Sequence, residues 1–414
     1  MAKIQKDKEI FSLIKKEENR QNTTIELIPS ENHCSSAVRE ALGSVLVDKY
    51  AEGYPGKRYY AGLEIYDKIE RLCQERAKKL FKVPFANVQP YSGSPANQAV
   101  YFALLKPGDK VMGMSLFHGG HLTHGWKVNF SGMYYKSIQY EVDRKTNLLN
   151  YSEIERLAKK HKPKLIWAGA TAYPRFFDWK KLSKIAEKVN AYLAADISHI
   201  AGLIVGGVHP SPVPYVHIIT TTTHKTLRGP RGGMIMVTKK GLEKDKNLPE
   251  KINKAVFPGL QGGPHENQIA AIAVCLKEAS TTSFKKYAKK VVENAKVLAQ
   301  ELKKYGFNLI TGGTDNHLIL IDLRNKKILG KEAQERLEEA GIITNKNTIP
   351  YDPNPPFNPS GLRIGTPAVT TRGMGKNEMK KIAKFIDQIL SKKFPPLKIK
   401  KEVIKLCKKF PLKR

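Results

Sequence analysis

The sequence predicts an α/β protein, with a mainly parallel sheet between helices in a large domain and a smaller α+β domain after it. Two observations carry this. Lys164–Ala170 and Ala191–Asp196 are continuous apolar runs with a helical segment, Lys180–Lys188, between them. Strands buried on both faces and joined through a helix form a right-handed parallel crossover. Beyond about residue 278 the pattern changes: Phe284, Tyr287, Val291, Ala295, Leu298 and Leu302 recur at helical spacing as far as Gly306. Strands near 307–311 and 317–323 follow, and Ile382, Phe385, Ile386 and Ile389 mark a later helix. A chain of 414 residues, 41% hydrophobic, can bury one large core and a smaller one. The expected division is an arm and interface loop at 1–60, a large domain at 61–278 and a small domain at 279–414.

In chain order, residues 8–20 read as a short amphipathic helix with Ile10, Phe11 and Ile14 on one side. Ile25–Asn32 is extended and helical spacing resumes over 35–48. Tyr50–Tyr60 is broken by Gly53, Pro55 and Gly56 and is rich in tyrosine, so it is either a binding wall or a packed loop at a subunit contact. Ile65, Ile69, Leu72, Ala77 and Leu80 form a helical stripe. In Ser92-Gly93-Ser94-Pro95, Ser94 is placed as an N-cap with Pro95 opening the helix; the segment is an anion site or a simple cap. Lys110–Met114 is a strand running into a glycine loop with His118, His121 and His124. Those histidines lack helical metal-ligand spacing and have no carboxylate near in sequence, so an imidazole stacked on a flat ring is the better functional reading, and no metal is expected.

The stretch Thr220–Gly233 is the chemical centre. It follows the apolar run Tyr215–Ile219, which places Lys225 just past a strand end with hydroxyls before it and Arg228 and Arg231 after it. Burial and like charge both favour a neutral lysine, which attacks aldehydes, while threonine hydroxyls and arginines suit a phosphate. Aldehyde plus phosphate describes pyridoxal phosphate. Asp196 closes a neighbouring strand, and ligands of open parallel sheets bind beyond such strand ends. A carboxylate there can hold a pyridine nitrogen protonated.

The net charge of +33 invites a polyanion, yet the lysines are scattered and no aromatic-interleaved basic patch stands out, so the charge is read as a solvated surface. Nucleic acid is expected only as a weak secondary partner. Cys34, Cys73, Cys275 and Cys407 are far apart and suggest neither disulfides nor zinc. The start lacks an apolar leader and no stretch has membrane-span length, so a cytoplasmic protein is expected.

These motifs, with Pro29–Asn32, Phe257–Pro264, Gly312–His317, Asn345–Phe357 and Gly361–Pro367, resemble serine hydroxymethyltransferase from about Glu26 onward. That family belongs to the fold-type I pyridoxal-phosphate enzymes. The resemblance implies reversible transfer of the serine hydroxymethyl carbon to tetrahydrofolate, giving glycine and 5,10-methylenetetrahydrofolate, and so a role in one-carbon metabolism.

The same resemblance implies roles for individual residues. Lys225 holds the cofactor covalently, Asp196 pairs with its pyridine nitrogen and His121 stacks on its ring. Ser92, Gly93 and Ser94, with His224 and Thr222, hold the phosphate side. Gly262 and Gly263 reach that phosphate from the partner subunit of a homodimer. Thr171, where many relatives have serine, and His199 sit near the phenolic oxygen. Arg363, helped by Ser30, clamps the substrate carboxylate. Glu52, Tyr50 and Tyr60 cross the interface, with Glu52 moving the hydroxymethyl proton. Leu116, Gly120, His121, Leu122, Asn347, Pro355, Pro356 and Phe357 line the tetrahydrofolate site. A folate-independent threonine aldolase would share Lys225 and Asp196 but lack Glu52 and the 345–357 loop.

Overall fold

The computed structural model describes residues 6–412. Residues 1–5, part of the start read as lacking a leader, and 413–414 lie outside the described residues.

Seven strands form the central sheet: β1 (Phe85–Asn87), β2 (Lys110–Met114), β3 (Lys136–Tyr140), β4 (Leu165–Ala168), β5 (Tyr192–Asp196), β6 (Ile218–Thr222) and β7 (Gly233–Val237). Their order is β1-β7-β6-β5-β4-β2-β3. The run from β6 to β3 pairs in parallel, and β7 is antiparallel to both its neighbours. Strand side chains alternate between faces, and both faces are covered. Met112, Ile166, Leu193, Ile219 and Met236 enter one core, while Val111, Leu165, Ala194, Ile218 and Ile235 enter the other. That double burial is why these strands read as unbroken apolar runs. It also places the carboxyl ends of β2, β4, β5 and β6 along one edge of the sheet.

A second, antiparallel sheet has the order β8-β9-β11-β10, from β8 (Asn308–Leu309), β9 (Leu318–Asp322), β10 (Asn345–Asn347) and β11 (Gly361–Gly365). Its core gathers Ile319, Ile321, Leu362, Ile364, Ile382 and Ile386. Ile25 and Leu27 join this core, because Ile25–Glu26 pairs in parallel with Ile342–Ile343. The helix Thr282–Lys304 spans both bodies: Phe284, Ala288 and Val291 pack on the large core, Leu298 and Leu302 on the small one.

Three sequence expectations are corrected. Helical structure over 35–48 is interrupted: Ser36–Leu42 stops at Gly43, and a 3-10 turn, Val45–Val47, follows. In the helix Glu64–Phe81 the buried side holds Glu70, Cys73, Ala77 and Phe81, whereas Ile65 and Leu72 are exposed. Arg58 makes this register possible by pairing with the buried Glu70 at 2.7 Å. The helix after β1 starts at Gly93 with Ser92, not Ser94, at its N-cap, so Pro95 lies inside the first turn, where its missing N–H costs no hydrogen bond. Among the described residues no helix is long and apolar enough to cross a membrane.

Candidate active site

A cavity of about 170 Å³ opens at the carboxyl edge of the central sheet. Its walls include Ser92, Gly93, Ser94, His121, Thr171 and Asp196. His199, Thr222, His224 and Lys225 also line it, together with His124, Ala170, Ser198 and Arg231. Each strand end delivers one part. The loop after β2 brings the histidines, β4 leads to Thr171, β5 ends in Asp196, and β6 leads to Lys225. The parallel register aligns Asp196 with Thr220 on the next strand, which fixes acid and amine on neighbouring strand ends.

The Lys225 loop is stiff. Thr223 donates its amide to Gly232 and its hydroxyl to Pro230, while Gly229 donates back to the Thr223 carbonyl at 2.7 Å. Asn32 donates its side-chain amide to the Lys225 carbonyl at 2.9 Å. Burial lowers the Lys225 pKa to about 8; Arg363 and Arg231 push it the same way and Asp196 opposes them. The expected neighbour Arg228 faces elsewhere, pairing with Glu278 and lying over the Tyr287 ring.

Asp196 is anchored as an anion. Asn97 donates to its Oδ2 at 2.9 Å, and His124 Nε2 lies 3.2 Å from the same oxygen. The Ser198 amide and hydroxyl both donate to Oδ1. Burial works against the charge, but the hydrogen bonds from His124 and the Ser198 hydroxyl hold the carboxyl far below its ordinary range. Ligand atoms of His121, His124 and Asp196 lie within 4.8 Å of one another, a grouping a metal could use. The donors already on both Asp196 oxygens make it instead a network that fixes an anion beneath the cavity. Burial first, then the charges of His124, Lys225 and Arg363, lowers His121 to about 4, so its ring is neutral.

The helix Gly93–Leu104 also begins at the cavity wall, where its first N–H groups have no intrahelical partner. A Cβ on Gly93 would stand 2.6 Å from Thr222 Cγ2, so only glycine permits this approach. Free amides, serine hydroxyls and Arg231, a buried amine and a fixed carboxylate in one cavity suit a phosphate, an aldehyde and a pyridine nitrogen. The residues present therefore fit pyridoxal phosphate. The serine hydroxymethyltransferase family model matches residues 4–386.

The chain belongs to the serine hydroxymethyltransferase family. It is thereby a pyridoxal-phosphate-dependent transferase of serine and glycine one-carbon metabolism, and its sheet is that family's fold-type I architecture.

Of the other residues that the resemblance singles out, several are fixed by contacts outside the cavity lining. Arg363, on β11, donates from Nη1 to the Thr171 carbonyl at 2.7 Å and from Nε to Asn345 at 3.2 Å. Burial lowers its pKa to about 10, so it stays cationic at neutral pH. The segment carrying Ser30 is held beside β11, where Gly365 donates to the Leu27 carbonyl at 2.7 Å. Leu116, Gly120 and Leu122 lie on the loop after β2, and Asn347 ends β10. Tyr351 packs edge-on against His118 at 4.6 Å, joining the 345–357 segment to that loop. Asp352 ties the turn by accepting from Ile349, Asn354 and Ser360, which leaves Pro355, Pro356 and Phe357 outward, Phe357 being 74% exposed.

A second group stands apart from the cavity walls. The hairpin of Gly53–Tyr54 with Lys57–Arg58 carries Glu52, and Arg58 pairs with Asp67, Glu70 and Glu266. A Cβ on Gly262 would lie 3.3 Å from Glu52 Oε1, and one on Gly263 3.0 Å from the Tyr50 ring. Tyr50 and Tyr60 pack at 5.6 Å and both are exposed. So Tyr50, Glu52, Tyr60, Gly262 and Gly263 are neighbours, and none of them walls the Lys225 cavity.

Sequence reasoning assigned no role to Asn97, His124, Ser198 or His317. His124 fell within the histidine loop, and Ser198 and His317 within other matched segments, yet none was singled out. Asn97 and His124 are polar residues whose contact with Asp196 exists only once the chain is folded.

Proposed function

We propose that the chain catalyses reversible transfer of the serine hydroxymethyl carbon to tetrahydrofolate, with glycine and 5,10-methylenetetrahydrofolate as products. The observation that carries this reading is the Lys225 amine, with its pKa lowered to about 8, sharing one buried cavity with the fixed Asp196 anion. When bound, pyridoxal phosphate supplies an electron sink for the bond broken at the serine α-carbon. Lys225 would hold the group through its amine. Asp196 would keep a pyridine nitrogen protonated, His121 would stack on the ring, and Ser92, Gly93, Ser94, Thr222 and His224 would hold the phosphate. Thr171 and His199 face the ring oxygen. Arg363 takes the serine carboxylate in a fork, and Ser30 helps orient it.

Glu52 moves the proton of the serine hydroxyl, assisted by Tyr60. The exposed Tyr50 and Tyr60 around half-buried Glu52, with Gly262 and Gly263, support a homodimer in which each subunit completes the other's site. Leu116, Gly120, Leu122, Asn347 and the Pro355–Phe357 turn hold tetrahydrofolate. We place the enzyme in the cytoplasm and divide it into an arm and interface loop at 1–60, a cofactor-binding domain at 61–278 and a small domain at 279–414.

Glycine release from serine, followed with and without tetrahydrofolate, tests the reading. Strong folate dependence, lost by at least about a hundredfold in Glu52→Gln while cofactor binding persists, is the expected outcome. Equal serine cleavage without folate assigns the chain to folate-independent aldol cleavage instead.

A further inference from the structure

Arg363 is a buried cation whose bonds stop short of an acid. It is 7% exposed. Burial lowers its pKa to about 10 against the attraction of Glu31, so it keeps its charge at neutral pH. Among the described residues its hydrogen bonds go only to neutral oxygens. Nη1 donates to the Thr171 carbonyl at 2.7 Å, and Nε donates to Asn345 Oδ1 at 3.2 Å. A charge buried at this depth is costly unless an anion meets it.

The smaller sheet decides how that charge is presented. β10 and β11 pair so that Asn345 stands directly opposite Arg363, which puts both side chains on one face. The Asn345 amide is itself held, because its Nδ2 donates to the Lys346 carbonyl at 3.0 Å and leaves Oδ1 for Nε. A guanidinium can take a carboxylate on either of two forks: Nε with Nη2 along its side, or Nη1 with Nη2 at its end. Asn345 occupies Nε and so closes the side fork. Nη1 carries two protons, of which Thr171 takes one, and Nη2 makes no hydrogen bond among the described residues. The end is the fork left open. Thr171, whose carbonyl steadies it, walls the Lys225 cavity.

We propose that Asn345 is a positioning residue for Arg363: by taking Nε–H it turns the guanidinium end-on, so that Nη1 and Nη2 receive the carboxylate of an amino-acid substrate. This deepens the proposed function and rests on it only for Arg363 as the partner of that carboxylate. If Asn345 served merely to satisfy one buried N–H, its loss would not depend on whether the ligand carries a carboxylate.

Glycine and methylamine, titrated separately into protein loaded with pyridoxal phosphate, test this, because they differ by the carboxylate alone. Asn345→Ala is expected to bind glycine about tenfold more weakly, the order of one misdirected hydrogen bond to a charged group, while methylamine and pyridoxal phosphate bind as they do to wild type. Arg363→Lys has no fork to aim, so adding Asn345→Ala to it is expected to cost no further glycine affinity. Undiminished glycine affinity in Asn345→Ala, a matching loss with methylamine, or the same loss in the Arg363→Lys background overturns the proposal. If the alanine variant fails to fold, nitrogen NMR of arginine-labelled wild-type protein decides. Glycine is then expected to move the Nη signals of Arg363 and leave Nε–H in place, and a shift centred on Nε overturns the proposal. These titrations use no folate, so folate-independent turnover, which counts against the proposed function, leaves them unaffected.

Discussion

Lys225 shows how a site is tuned by its surroundings. Its amine is buried, and the ammonium form is opposed by Arg363 and Arg231 and favoured only by Asp196, giving a pKa of about 8. The neutral, reactive fraction therefore rises as pH climbs toward that value and saturates above it. Covalent capture of pyridoxal phosphate by apoprotein, followed by visible absorbance, is expected to quicken up to about pH 8 and then level off. A rate still climbing near the ordinary lysine pKa contradicts this environment. Part of that tuning was legible in the sequence, since Arg231 is close along the chain. The rest was not: Arg228 turns to Glu278, and Arg363 arrives from β11. The residues that hold Asp196 were hidden for the same reason. Asn97 lies inside a helix and His124 inside a histidine-rich loop, and nothing local marks either as the partner of a strand-end acid.

At the scale of elements, the phosphate end rests on where one helix begins. Two serines flank Gly93, so either can be placed as the cap from sequence, and the backbone selects Ser92. That shift puts Gly93 at the first helical position, tight against Thr222. Gly93→Ala is expected to weaken pyridoxal phosphate binding by roughly ten- to a hundredfold, as one or two charge-assisted hydrogen bonds to the phosphate are lost. Pyridoxal without the phosphate should bind both proteins alike in a fluorescence titration, and a matching loss with pyridoxal would place the damage elsewhere. The central strands were legible because both faces are buried. The stripe through Ile65 and Leu72 misled, because an amphipathic pattern cannot say which face meets this chain's own core.

At the scale of the molecule, the exposed apolar side chains include Val45, Val47, Tyr50, Tyr59, Tyr60, Ile65 and Leu72, all within the stretch 45–72 that contains the Glu52 hairpin. A surface of this kind calls for a cover, and a second copy brings Glu52 with it. Mixed refolding of Lys225→Ala with Glu52→Gln tests this. Neither variant alone is active, yet a two-fold dimer of one of each contains one complete site, so an equal mixture should regain about a quarter of wild-type activity. No recovery, with hybrid dimers shown to form, means that Glu52 serves its own subunit.

The account depends most on a covalent bond between Lys225 and the cofactor aldehyde. Borohydride reduction of protein loaded with pyridoxal phosphate, followed by digestion and mass analysis of the peptides, addresses it directly. The account predicts a single reduced pyridoxyl-phosphate adduct, located on Lys225 and absent from Lys225→Ala. An adduct on another lysine, or none at all in protein that retains the cofactor, would contradict it.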